Sequence, residues 1–446
     1  MKDKFNLMKM FVLSSALVLS PNVFAEEMAK EGTEKSKSKV KYDSDEGFGG
    51  PAETGHQLED DDKDKYPIFR IKGLDDSVKG VKDWKHDIYE DTGLQFGLDY
   101  SVLYQSLSDT TPGAAYDSAA SGIARFYGKW ELVNKGTANK GSLVFKVDHR
   151  HELGDTTPSE LGGNAGYLSQ TGMLFSDKGG VLVDLNWQQY FNDGNTAIVV
   201  GKFDPNDYFD VLGYAIPWTA FSNLDTLLNM SIALPDNSYG VAIGHWFSDT
   251  IYVQAAVNDA NGSVDTDDPF EEGFDELYKT VEFGYSPSRG ERYFKNIHVT
   301  LWQMDDRTAY GEYDESDDGA EGIVIGANYT WDLEHMVFAK VGVSDVDEIK
   351  HDIVQLYQEF VTVGYMKYFQ QRSDLFGISM SHGNIVDEII DFGFAQNESQ
   401  STIESFYRMQ LAQNFAVTAN IQYLIDPANN TEDDVLVTGI RFRMTL

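Results

Sequence analysis

The sequence predicts an all-β fold, a 16-stranded antiparallel transmembrane β-barrel preceded by a short periplasmic N-terminal helix. Three observations lead to this prediction. Apolar and polar side chains alternate with a period of two from Gly93 to Leu446, long and short connections follow one another in turn, and the N-terminus has the pattern of an export signal. Lipid cannot satisfy the hydrogen bonds of an open strand edge, so such a sheet must close. Sixteen strands enclose an aqueous channel.

The export signal occupies residues 1–25. Three lysines precede an apolar run over 10–19, which is too short for a bilayer span of about 20 residues. Val23 and Ala25 then stand at the −3 and −1 positions of a cleavage site. We expect this segment to be removed, and the mature protein to reside in the bacterial outer membrane.

The next part of the chain divides into a disordered segment and a helix. Residues 26–73 are charged and acidic, with few apolar side chains over 26–65, so composition predicts disorder. Residues 74–91 have helical periodicity and are expected at the periplasmic mouth of the barrel, because the even strand count places both termini there. The apolar positions recur three and four apart: Val78, Val81, Trp84 and Ile88.

Residues 92–446 form the predicted barrel domain. The candidate strands are about 93–106, 120–133, 141–153, 180–192, 195–204, 238–248, 250–258, 277–287, 293–303, 321–332, 334–344, 359–369, 374–382, 402–412, 415–424 and 434–446. Long connections include 154–179, 205–237, 259–276, 304–320, 345–358 and 383–401. This rhythm is typical of outer-membrane barrels, with short turns in the periplasm and long loops outside.

The last strand shows the two faces well. Leu436 and Phe442 lie on one face, and Arg441 and Arg443 lie on the other. In a soluble sandwich the arginine face would meet solvent, whereas in a barrel it would line the lumen. This strand alone fits both folds, and the loop rhythm favours the barrel.

Composition excludes several classes of function. The formal net charge of −37 leaves no basic stripe for nucleic acid, and the absence of cysteine excludes disulfides and thiolate chemistry. No motif of a nucleophile, a phosphate loop or a zinc protease is present, so we expect neither an enzyme nor a cofactor. His149 and His151 share a strand face but have no evident third ligand, so no metal site is expected.

Charged residues of the lumen are the candidate functional groups. Alternation directs these side chains inward: Arg125, Lys146, Asp148, Arg150, Lys202 and Asp204. A charge at membrane depth needs water or a partner. These groups either form a constriction that offers hydrogen bonds to hydroxyls or line a solvated wall.

The connection over 205–237 is unusually aromatic for an external loop. Burial of its aromatic side chains requires that the loop fold into the barrel, where it would narrow the pore. Its rings either stack on sugars or only pack the loop against the wall, and both roles are compatible.

At these motifs the chain resembles the carbohydrate-selective porin family, OprB type, over roughly residues 85–446. The matching pieces are Phe145–His151, Leu185–Gln189, Gly201–Asp210, Asp259–Gly262, and Ile421–Pro427 followed by Val437–Arg443.

The resemblance implies a sixteen-stranded channel for monosaccharides, glucose-like ones above all. It also implies contact with outer-membrane lipid and lipopolysaccharide, and leaves self-association into a homo-oligomer open. It places Arg125 and Asp148 at the eyelet. The family usually has Glu at the second position, so a wider or less selective eyelet is implied here. Leu446 also stands where such chains usually end in Phe.

Other classes of function remain as alternatives. A general or cation-favouring porin keeps the barrel without the sugar, and block by glucose would separate the two. A small-barrel hydrolase is disfavoured by the strand count and the missing nucleophile motif. A secreted lectin or propeller would be soluble without detergent once the signal is removed.

Overall fold

The computed structural model describes residues 47–213, 216–262, 274–305, 319–346, 356–391, 393–430 and 434–446. The predicted signal peptide, residues 1–25, lies outside these ranges, as does the part of the predicted disordered segment up to residue 46.

Sixteen antiparallel strands form a closed barrel in sequence order, so the predicted strand number and closure are confirmed. The strands are β1 Leu94–Leu107, β2 Ser118–Val133, β3 Gly141–Glu152, β4 Gly179–Phe191, β5 Thr196–Phe203, β6 Ser238–Trp246, β7 Ile251–Asp259, β8 Leu277–Tyr285, β9 Lys295–Met304, β10 Ala320–Trp331, β11 His335–Val346, β12 Tyr357–Phe369, β13 Asp374–Ile385, β14 Ser399–Ala412, β15 Phe415–Ile425 and β16 Val435–Thr445.

The barrel closes where β1 pairs with β16. Their register runs from Asp99 opposite Thr445 to Leu107 opposite Val437. At the end of this pair, the Leu98 N–H donates to the Leu446 carbonyl at 3.1 Å, and the Leu446 N–H donates back at 2.8 Å. The ladder therefore leaves no free edge between the first and last strands.

The two faces of the wall differ as the alternation requires. Leu98, Tyr100 and Phe126 are exposed on the outside, whereas Asp99 and Arg125 between them are buried inside. Strand positions thus present apolar side chains to lipid and charged side chains to the lumen. Among the described residues, no helix is long and apolar enough to cross a membrane.

Six short helices accompany the strands of the described ranges. They are α1 Thr54–Asp62, α2 Lys72–Ser77, α3 Val81–Thr92, α4 Pro158–Asn164, α5 Leu224–Leu227 and α6 Asp387–Asp391. Single 3₁₀ turns lie at Pro205–Asp207 and Arg289–Glu291.

The structure corrects two sequence predictions before the barrel. The helix expected over 74–91 is instead two helices, because Gly80 adopts a left-handed φ of 85° between α2 and α3. Disorder over 26–73 is wrong for residues 54–62, which form α1. The Glu53 side chain caps this helix by accepting from the Gly55 and His56 N–H groups.

Candidate functional site

The connection between β5 and β6, residues 205–237, folds into the barrel and is called the inner loop; its residues 214 and 215 lie outside the described ranges. Phe221 is fully buried between Phe338 of β11 and Phe406 of β14, with ring centroids 6.2 and 4.9 Å away. Leu212 and Leu227 join the same apolar cluster. The predicted inward fold of this loop is confirmed, and apolar burial of roughly 1.5–3 kcal/mol per large side chain holds it.

Polar groups of the wall fix the backbone of the inner loop. Both carboxylate oxygens of Glu404 in β14 accept loop N–H groups, from Ser222 at 2.7 Å and from Asn223 at 3.1 Å. The Arg441 guanidinium of β16 donates to the carbonyls of Pro217 at 2.5 Å and Ala220 at 2.7 Å. These bonds satisfy main-chain groups that would otherwise be buried without partners.

Arg125 lies at the centre of a row of charges across three neighbouring strands. It stands opposite Asp99 of β1 and, on its other side, opposite Asp148 of β3. Its Nη2 is 3.4 Å from Asp99 Oδ1, and its guanidinium carbon is 3.6 Å from the ring centroid of Trp218 in the inner loop. Among the described residues, its Nε and Nη1 have no hydrogen-bond partner.

The two predicted eyelet residues are neighbours, but the described ion pairs do not join them to each other. Asp148 Oδ2 accepts from Arg150 Nη2 at 3.1 Å, two positions along the same strand. Asp148 Oδ1 is buried and has no partner in the described part of the chain. Arg125, Asp148 and Arg150 thus form one patch that keeps unpaired donors and an unpaired acceptor.

Lys146, Lys202 and Asp204 lie apart from this patch. Lys146 Nζ is 3.1 Å from Asp184 and 3.2 Å from Asp207. Lys202 is 1% exposed, with its ammonium 5.3 Å from the centroid of the Tyr239 ring. Asp204 accepts from the Asn206 N–H at 2.9 Å and so begins the turn of the inner loop.

Two aspartates near the start of the inner loop differ in their surroundings. Burial raises the pKa of Asp207, and the neighbouring carboxyls of Asp204 and Asp184 add to this effect, although Lys146 opposes it. Burial also acts to raise the pKa of Asp210, but Lys340 and His298 outweigh it and hold this pKa below its ordinary range.

Sequence reasoning missed several residues of this site. Asp99 pairs with both Arg125 and Arg443, and the last contact exists only because β16 closes on β1. The inward-facing arginines of β16 were visible as a pattern, but their partners were not. Trp218 was noted as an aromatic of the loop without its contact to Arg125.

Residues 47–62 also lie inside the barrel, and we call them the lumen segment. Its Thr54 donates to Asp184 of β4 at 3.1 Å, and its Asp61 is 2.9 Å from Arg443 of β16. Composition suggested a solvated tail here, and no pattern in the sequence marked these contacts.

The closed sixteen-strand barrel, with its apolar exterior and charged interior, defines an outer-membrane porin, a channel rather than an enzyme. Among the described residues, no cluster of three or more metal-binding side chains is present. The model of the carbohydrate-selective porin, OprB family matches residues 162–446, and the chain belongs to this family.

Solved structures share the fold. The high-pH structure of Pseudomonas putida OprB is 13% identical, with a TM-score of 0.62, over 82% of this chain and 97% of that chain. Its low-pH structure is 14% identical, with a TM-score of 0.47, over 83% and 97%. A triple mutant of Rhodopseudomonas blastica porin is 13% identical, with a TM-score of 0.45, over 79% and 100%. No curated protein matches the sequence.

Proposed function

We propose that this porin admits monosaccharides, glucose-like ones in particular, into the periplasm by passive diffusion. The observation that carries the proposal is the position of Arg125, between two carboxylates and against the face of Trp218. Unpaired donors of the guanidinium and the unpaired oxygen of Asp148 can bind neighbouring sugar hydroxyls. The indole offers an apolar face to the C–H groups of a sugar ring.

The strength of such a site suits transport. A hydrogen bond to a charged group contributes roughly 1.5–3 kcal/mol, from which the desolvation of sugar and protein must be subtracted. The net affinity is therefore weak, and a site in a channel must bind weakly enough to release. Replacement of the family's usual Glu by Asp148 shortens one arm of the site by a methylene.

Glucose block of ion current in planar bilayers tests the assignment. Arg125→Ala removes the donors, so glucose should block less, and the unopposed carboxylates should increase cation preference. Arg70→Ala is the matched control, because Arg70 is an exposed arginine before the barrel, paired with Asp75. Wild-type glucose block in Arg125→Ala would refute the assignment. Absence of glucose block in the unmodified channel would favour the general, cation-favouring porin.

Export and membrane contacts complete the proposal. Cleavage after Ala25 predicts Glu26 as the first residue of the mature protein, which N-terminal sequencing of the outer-membrane form tests. The exposed apolar band of the strands would contact lipid and lipopolysaccharide. Chemical cross-linking in native membranes would show whether the barrel forms homo-oligomers.

A further inference from the structure

The lumen segment crosses the channel from one side of the wall to the other. Phe48 packs against side chains of β6 and β7, with ring centroids 6.2 Å from Trp246 and 6.3 Å from Tyr252. Asp61, at the far end, contacts Tyr127 of β2 and Arg443 of β16. Since β7 and β16 are seven strands apart in a ring of sixteen, these contacts lie almost opposite each other.

The segment and the inner loop occupy complementary parts of the lumen. The inner loop packs on β11 to β14 through its apolar cluster, whereas the segment contacts β2 to β7 and β16. The two elements meet where the Gly50 N–H donates to the Asp207 carbonyl at 2.5 Å. Together they leave Arg125, Lys146 and Asp148 only 2% exposed each.

The segment also supplies acceptors to the basic groups of the wall. Asp61 pairs with Arg443 at 2.9 Å, and the Ala52 carbonyl accepts from Lys146 at 3.1 Å. Glu53 is buried near Lys129 and accepts from Gln188 at 2.9 Å. Each of these contacts lowers the positive potential that a permeating anion would meet.

The two elements are held by different forces. Several large apolar side chains anchor the inner loop, whereas Phe48 and Leu58 are the large apolar side chains of the lumen segment that are buried. The rest of the segment is held by hydrogen bonds and ion pairs, which contribute only about 0.5–1.5 kcal/mol each when neutral. Of the two, the segment is therefore the element that water and solutes displace more readily.

We propose that residues 47–62 form a second constriction element, which narrows the periplasmic half of the channel and sets its ion selectivity by neutralising wall cations. The inner loop narrows the pore at a different place and by apolar packing. This role does not depend on which solute the channel prefers. It is therefore tested in salt solutions that contain no sugar.

The first experiment replaces residues 47–62 by a glycine–serine linker of equal length and measures single-channel conductance. We expect a rise of roughly two-fold or more, because the opened cross-section becomes aqueous. The matched control replaces residues 72–77, which form α2 and include no buried residue, and should leave conductance unchanged. Wild-type conductance without the lumen segment would overturn the proposal.

The second experiment keeps the segment and removes one charge, so it decides the question even where the replaced chain does not insert. Asp61→Asn leaves the ion pair to Arg443 unmade and should shift the reversal potential in a salt gradient toward anions. Asp64→Asn is the control, since Asp64 pairs with Lys82 where both side chains are more than half exposed. Equal reversal potentials for the two variants would overturn the assigned role in selectivity.

Discussion

Glu404→Ala should release the inner loop from the barrel wall. In the folded protein this carboxylate accepts from the N–H groups of Ser222 and Asn223, from the Thr226 hydroxyl and from the Asn420 amide. The side chain is fully buried, so its loss strands donors in a place that bulk water does not reach. Each buried donor left without a partner costs about 1–3 kcal/mol.

Two backbone donors alone amount to about 2–6 kcal/mol, a sum that water entering the vacated space would reduce. The apolar anchors of the loop around Phe221 remain, so the loop should loosen at its middle rather than leave the lumen. We therefore expect a higher and noisier single-channel conductance together with a lower temperature of conversion from the folded to the unfolded band on gels. Glu404→Gln keeps one acceptor oxygen and should fall between.

The matched control is Glu321→Ala in β10, which removes the same side chain at an exposed position of the wall. It should leave both measurements unchanged. A Glu404→Ala protein with wild-type conductance and wild-type conversion temperature would show that these hydrogen bonds do not hold the loop. The apolar cluster would then be the whole of its attachment.

Three further changes test the site and the fold. Trp218→Ala removes a cation–π contact of about 0.5–2 kcal/mol and should weaken glucose block, whereas Trp84→Ala, at an exposed position of α3, should not. Burial raises the pKa of Asp207, so the folded protein keeps a proton that the unfolded chain has lost; the stability this adds is present at low pH and declines as pH rises above about 4, and Asp207→Asn should flatten that decline in a pH series of unfolding temperatures. Gly93→Ala should destabilise by at least about 1–2 kcal/mol, because φ is +80° and the new Cβ would lie 2.6 Å from a backbone carbonyl, whereas Gly73→Ala meets nothing within 4 Å and should be neutral in the same thermal assay.

The strands could be predicted because the two solvents of a barrel wall impose a pattern on every one of them. The third strand was expected over 141–153 and spans Gly141–Glu152. Its lumen-side residues Lys146, Asp148 and Arg150 are buried, while Val147 between them is exposed on the outside. Alternation fixes the direction of a side chain without any knowledge of its neighbours.

The partners inside the lumen could not be read in the same way. Asp148 and Arg125 share a row, yet Arg150 is the base that Asp148 contacts, and Asp99 is the acid that Arg125 contacts. Register and rotamer decide between such neighbours, and neither is encoded in a local pattern. The same holds for α1, whose sequence is polar on all sides apart from Leu58 and whose acids meet bases contributed by distant strands.

The pairing of the first and last strands has a consequence for how the molecule is made. Every other strand pairs with one that precedes or follows it directly, so fifteen of the sixteen seams join neighbours along the chain. The remaining seam must wait for Val435–Thr445, and until then two unpaired edges exist that a bilayer interior does not tolerate. Residues 47–62 precede β1 and are surrounded by the finished wall, so completion of the ring also encloses them. Insertion, closure and the capture of this internal cargo are then one concerted event, and a chain that closed without it would be a different channel.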